Sequence, residues 1–377
     1  MLVYTVKIFS TLLHLVLIFS MSSISVTSLG MYSFYVAIIS IISQICMFEG
    51  AQHAIAKKIK LHNFYEYYFC NCALWCLSIL LISFLIKDDA LVLIFTSIFM
   101  LNLTCEKLIN ILTIKKRINL DDHGYVRLFN LKNIIFEIAI PLIFILNIDK
   151  FQDTFNFSIL FISLSILLNF CIILFALKNK VKPSLMGVNF FSGIVFKKID
   201  GLFIRLFTGY FWGFASLGAI QPAMSVARVI SILLPLWINL NLNSFFRSSV
   251  NHLTLRSFIW IPLSYFVYLV LSFIAWNLLQ IFYVNDYSQL IFALAFIWFG
   301  NANTKAIIRG ISVFNGFLQY NNNSLIISLL FKLLLSFLIP TGHFLELFVL
   351  LIMVDFTQIA ITTYMLLTKG SRNIESK

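Results

Sequence analysis

Apolar runs of about 20 residues follow one another along the whole chain, separated by short charged links. A helix of that length crosses a bilayer core of about 30 Å, so the pattern predicts spanning helices. The runs are continuous rather than alternating with period two, which excludes a β-barrel. About twelve spans are expected. The first six lie at roughly 3–22, 31–48, 66–86, 90–113, 130–148 and 156–177, and the second six at roughly 187–209, 214–239, 257–282, 288–310, 323–340 and 344–368.

The links alternate in charge. Lys57, Lys58 and Lys60 follow the second span, Lys115, Lys116, Arg117 and Arg127 the fourth, and Lys178, Lys180 and Lys182 the sixth. Arg247 and Arg256 follow the eighth, and Lys369, Arg372 and Lys377 end the chain. The opposite links carry only Lys87 and Lys150, beside Asp88, Asp89, Asp149, Asp153 and Asp286. Basic residues are retained on the cytoplasmic side, so both termini are expected in the cytoplasm. Lys7, the apolar run to Phe19 and then Ser20-Met21-Ser22-Ser23 imitate a signal peptide. The alternation needs this segment as an uncleaved first span. The longest polar link in mid-chain, Lys178 to Ser184, divides residues 1–182 from 183–377. Each part is expected to be a six-helix bundle, an arrangement common in transporters built from two repeats.

Composition sharpens the class. The 377 residues are 60% hydrophobic and 11% charged, too few charges for a soluble domain. The net charge of +12 sits in clusters that set topology, so no nucleic-acid partner is implied. Cys46, Cys70, Cys72, Cys76, Cys105 and Cys171 fall inside spans, and no His or carboxylate completes a zinc set. They are read as small buried hydrophobes. No nucleotide-binding motif or soluble-enzyme constellation occurs, so neither enzymatic activity nor a cofactor is expected.

Charge inside the spans is the functional signal, because an ionisable group in hydrocarbon is costly. Asn102, Glu106, Asn110 and Thr113 share one face of the fourth span. The Asn residues read as interhelical hydrogen bonding, and adjacent Lys107 offers Glu106 local neutralisation. Gln221, Ser225 and Arg228 share a face of the eighth span, with Arg228 about 21 Å along it. A guanidinium there offers a planar fork of donors suited to phosphate. The seventh span carries Lys197, Lys198, Asp200 and Arg205; Lys197 can pair with Asp200, while Lys198 and Arg205 share a face as anion-site candidates. In the tenth, Asn301, Lys305, Arg309 and Ser312 share a face, with Arg309 read as an interfacial anchor. Lys332 and Asp355 lie about 15 and 19 Å from the turn at Gly342, close enough in depth to meet across the last hairpin. Either a structural pair or an ion-coupling acid results. Glu137, a turn before Pro141, is a further acidic candidate.

Three stretches together resemble the Wzx-type flippases of lipid-linked oligosaccharides, in the superfamily of multidrug and polysaccharide exporters. They are Leu29-Gly30 with Tyr32, Glu49-Gly50-Ala51 and Lys57-Lys58; Asp200-Gly201-Leu202-Phe203 with Gly209, Gly213 and Leu217-Gly218; and Ile281-Phe282-Tyr283, Asp286-Tyr287, Phe317-Leu318-Gln319, Asn321 to Ser324 and Pro340. Arg228 falls where related peptidoglycan-lipid flippases have a basic residue. The insert after Leu29-Gly30 is shorter than in the family, and Gly342 stands where it usually has paired glycines.

The resemblance implies an inner-membrane protein that moves undecaprenyl-diphosphate-linked repeat units to the periplasmic leaflet by alternating access, for O-antigen or capsule synthesis. A polysaccharide polymerase and a chain-length regulator would be partners alongside membrane lipid. Arg228, Lys197, Lys198, Arg205, Lys305 and Gln221 would bind the diphosphate, and Asp200, Asp355 or Glu106 would couple an ion. Two alternatives stand: the membrane polymerase that joins the repeat units, disfavoured by short outward loops, and an ion-coupled drug exporter of the same fold.

Overall fold

A computed structural model describes residues 2–46, 61–118, 123–146, 154–178, 188–228, 260–280, 289–314, 318–339 and 343–375. Among the described residues the regular structure is helical, with no strand. The helices are α1 (Leu2–Ile24), α2 (Val26–Cys46), α3 (Leu61–Leu85), α4 (Ala90–Ile118), α5 (His123–Lys132), α6 (Ile140–Leu146), α7 (Thr154–Lys178), α8 (Val188–Phe207), α9 (213–228), α10 (Trp260–Gln280), α11 (Gln289–Phe314), α12 (Leu318–Leu338) and α13 (Phe344–Glu375). Two π-helical segments, Asn133–Ala139 and Thr208–Trp212, interrupt them.

Among the described residues, six helical stretches are long and apolar enough to cross a membrane: Val26–Cys46, Ala90–Asn110, Phe155–Leu174, Val195–Arg228, Asn321–Leu338 and Leu345–Thr368. Ile8–Ile24, Cys72–Leu85 and Tyr265–Asn277 are shorter apolar helices. The side-chain pattern is inverted relative to a soluble protein. On α12, Ile327, Leu330, Leu334 and Phe337 are exposed, whereas Ser328, Lys332 and Ser336 are buried. On α3, Leu74, Leu77, Leu81 and Phe84 are exposed. Apolar faces of this extent suit hydrocarbon, with polar groups turned into the protein. The chain is an all-α, multi-pass membrane protein.

Two compact units form: Met1–Gly209 with Gly213–Gly218, and Tyr210–Trp212 with Ala219–Lys377. In the first, α4 is the central helix, packed on α2, α5 and α7, while α3 also packs on α2 and α7. Trp75, Ile79, Phe95 and Ile98 belong to its core. Lipid tails are as apolar as leucine, so close packing and hydrogen bonds hold such a bundle more than hydrophobic burial does. The crossing of α2 with the start of α9 shows the close approach: a Cβ on Gly30 would sit 1.7 Å from the Phe214 carbonyl oxygen, and one on Gly218 1.9 Å from that of Val26. In the second unit α11 and α13 pack on each other, with α10 against α11 and α12 against α13.

Local chemistry sets the helix ends. Ser25 Oγ accepts from the Ser28 N–H at 3.1 Å and caps α2, which starts at Val26 rather than at the expected 31. Asp89 caps α4 by accepting from the Val92 N–H at 2.9 Å, and its other oxygen accepts from Ser28 Oγ at 2.8 Å. Gly213, at φ 82°, breaks the helix line after the second π segment in a conformation that suits glycine. The expected regular span at 130–148 is instead α5, a π segment and α6, with Pro141 at the start of α6. Ile140 N–H bonds to Ile135 O, a five-residue step that a regular α-helix does not make.

Candidate functional site

In the second unit, α11, α12 and α13 each bring one charged side chain to a common point. Lys305 and Lys332 both contact Asp355 Oδ1, Lys332 at 2.5 Å. Lys332 is fully buried and Asp355 2% exposed, while the Lys305 side chain retains 14% exposure. The Lys332 ammonium also lies over the Trp298 ring, 4.8 Å from its centroid. Two ammonium groups against one carboxylate give this trio a formal sum of +1.

Neighbouring polar side chains brace the trio. Tyr265 donates to Asn301 Oδ1, and Asn303 Nδ2 donates to the Tyr268 hydroxyl, tying α10 to α11. Asn301 lies one helical turn before Lys305, and its Nδ2 reaches the Ile352 carbonyl on α13 at 3.5 Å. Thr362 Oγ1 meets Ser324 Oγ at 3.0 Å, tying α13 to α12. Most α12 polar groups face inward because its opposite face is leucine and phenylalanine.

The first unit holds a second charged cluster of the opposite sign. Lys132, at the end of α5, is 3.1 Å from Glu106 on α4 and 3.8 Å from Glu137 in the π segment. Glu137 also accepts from Ser10 Oγ at 2.5 Å and from Asn102 Nδ2 at 3.1 Å. Two carboxylates against one ammonium give a formal sum of −1. Sequence reasoning offered Glu106 the adjacent Lys107. Successive helical residues do not face each other, and Lys107 instead points at Trp75, its ammonium 4.1 Å from the ring centroid. Lys107 is fully buried, and its Nζ has no hydrogen-bond partner. The Trp75 indole N–H donates to Thr104 Oγ1 at 3.0 Å, which fixes the ring.

The remaining expected residues are distributed as follows. Lys197 is exposed, Lys198 half-buried, and Asp200 and Arg205 buried on α8 in the first unit. Gln221 is buried in the second unit and donates to Ser225 Oγ at 3.3 Å. Arg228 is exposed at the last described position of α9. The side chain of Arg309 and the basic links at 57–60, 180–182 and 247–256 lie outside the described residues. Lys132, Ser10 and Trp298 were missed as participants; Lys132 sat just inside an expected span and was a findable buried charge. Among the described residues no group of three or more His, Cys, Asp or Glu side chains is placed to hold a metal ion.

Comparison with protein-family models, with curated proteins and with solved structures finds no match to this chain.

Proposed function

We propose that this protein is a flippase that carries undecaprenyl-diphosphate-linked oligosaccharide repeat units from the cytoplasmic to the periplasmic leaflet. The reading includes about twelve crossings with both termini in the cytoplasm, residence in a bacterial inner membrane, and alternating access. The observation that carries it is the Lys305–Asp355–Lys332 trio, a largely buried cluster of formal charge +1 contributed by three helices, two of them long and apolar enough to cross a membrane. A helical bundle held by packing alone needs no such group, since charge in hydrocarbon is costly. A partly exposed cation beside such a cluster is suited to an anionic headgroup that cannot enter hydrocarbon unaided.

Lys305 is the trio's partly exposed cation and the group assigned to meet cargo; Lys332 is held beneath it. Arg228, Lys197, Lys198, Arg205 and Gln221 remain further candidates for diphosphate contact, and Asp200, Asp355 and Glu106 for ion coupling. A polysaccharide polymerase and a chain-length regulator are proposed partners. An inside-negative potential favours outward movement of anionic cargo by about 2.3 kcal/mol per charge per 100 mV.

Deleting the gene in the bacterium that carries it tests the reading. Lipid-linked repeat units should accumulate on the inner leaflet, and a plasmid copy should release them. A Lys305→Met or Arg228→Ala copy should insert normally and release them poorly. Single repeats that reach the cell surface without elongation would indicate a polymerase and overturn the proposal.

A further inference from the structure

The trio at Asp355 is asymmetric in a way that gives Lys332 a task of its own. Both lysines contact the same carboxylate oxygen, Oδ1, so the two ammonium groups stand close together and repel. Each weakens the other's hold on Asp355. Of the three side chains, Lys305 keeps 14% exposure, against 3% for Asp355 and none for Lys332. An incoming anion therefore competes with Asp355 for Lys305, not for Lys332.

Lys332 is fixed from two sides. Its ammonium lies 2.5 Å from Asp355 on α13 and 4.8 Å from the centroid of the Trp298 ring on α11. Trp298 is itself buried and meets Phe348 of α13 edge-on, with 6.3 Å between centroids. The series Trp298–Lys332–Asp355 thus joins α11, α12 and α13 without using Lys305. The Asn301 amide adds a second tie, to the Ile352 carbonyl at 3.5 Å. Withdrawal of Lys305 from Asp355 leaves the three helices connected.

Charge counting gives the consequence. Without a ligand, two ammonium groups share one carboxylate. An anionic group at Lys305 sorts these charges into two one-to-one pairs, Lys305 with the anion and Lys332 with Asp355. Repulsion between two lysines on one oxygen is relieved. With a neutral residue at 332, the same transfer would strip a buried carboxylate of its cation, which is the costly way to break a buried pair. Anion binding would then have to work against the Lys305–Asp355 pair.

Given the reading of Lys305 as the group that meets cargo, on which this role rests, we propose that Lys332 is a positioning residue for anion binding. It takes over the Asp355 carboxylate, so that Lys305 can pass from Asp355 to a phosphate oxygen of the cargo.

Binding of radiolabelled farnesyl diphosphate, a short and soluble prenyl diphosphate, to the full chain in nanodiscs of zwitterionic lipid tests the role. Saturable binding that excess farnesol does not displace is expected in the wild type, and Lys305→Met should lose it. Lys332→Met should weaken it by about tenfold or more, because Asp355 then holds Lys305 one-to-one. Adding Asp355→Asn to Lys332→Met should restore wild-type affinity or better. A packing defect beside Trp298 would persist in that double variant, so the recovery separates positioning from folding. Lys332→Gln supplies the same comparison where Lys332→Met does not fold. No saturable binding in monodisperse wild-type protein, or undiminished binding in Lys305→Met, would overturn the cargo reading and this role with it. Loss in Lys305→Met with undiminished binding in Lys332→Met would overturn the role of Lys332 alone, as would weakening in Lys332→Met that Asp355→Asn does not reverse.

Discussion

Removing Asp355 and removing Lys332 should have unequal effects, although the two side chains pair with each other. Asp355→Asn leaves two ammonium groups, one of them fully buried, facing a neutral amide. Breaking a buried ion pair by deleting one partner costs about 3–5 kcal/mol, because the surviving charge stays desolvated. Lys332→Met leaves Asp355 with Lys305, a one-to-one pair. What is lost is the ammonium over Trp298, about 2 kcal/mol when desolvated, and relief of the buried charge offsets part of it. The two variants should therefore differ by more than about 1.4 kcal/mol, which is tenfold in the unfolding equilibrium. Replacing Lys305, Lys332 and Asp355 together with Met, Met and Leu should restore wild-type stability, as when buried charged triads become apolar. The same triple variant should lose export. Reversible unfolding by SDS in mixed micelles, followed by tryptophan fluorescence, gives the stabilities. Equal losses for Asp355→Asn and Lys332→Met, or a larger loss for Lys332→Met, would refute the shared-carboxylate account.

The other predictions concern the first unit. Gly30→Ala and Gly218→Ala should each cost about 1–3 kcal/mol in the same unfolding assay, because the added methyl meets a backbone carbonyl that cannot rotate away. Gly201→Ala, with nothing within 4 Å of its new methyl, should be neutral or stabilising by up to about 1 kcal/mol. Lys107→Met should be no less stable than wild type, since it removes a buried ammonium without a hydrogen-bond acceptor and keeps the side-chain volume over Trp75; a loss above about 2 kcal/mol would give the cation–π contact the larger share. Lys132→Met should cost about 3–5 kcal/mol by leaving two carboxylates to face each other, and Glu106→Gln should cost less because Lys132 keeps Glu137.

What the sequence made legible depended on how local each feature is. Helical class and membrane placement follow from apolar run length, and they emerge directly. Lys332 and Asp355 could be matched because both count back a similar helical rise to one tight turn. The third member, Lys305, has no such ruler: its helix reaches the pair through packing, and linear distance says nothing about it. Glu106 was offered Lys107 on adjacency alone, and the geometry of a helix sends those two side chains in different directions. Asn102 was read as an interhelical hydrogen-bond donor, and it is one; the unsatisfied oxygen on the same amide appears only once Glu137 is placed beside it. The π segment at Asn133–Ala139 has no signature in the apolar pattern, because a one-residue widening leaves composition unchanged.

The two clusters share a design that stability alone does not explain. Each sets two like-charged groups from different helical elements around one shared partner, a carboxylate in one unit and an ammonium in the other. Apolar replacements would hold a bundle at least as well as a buried one-to-one pair does, and a two-to-one arrangement sets two like charges close together, which costs more still. Under the proposed function, the positive formal sum of the trio at Asp355 suits the anionic cargo that Lys305 would meet. In both trios the most buried member is a lysine, while Glu137 and Lys305 keep more exposure than that lysine. The most buried lysine of each trio ties helices together, and under the proposed function the more exposed Lys305 is the group within reach of cargo.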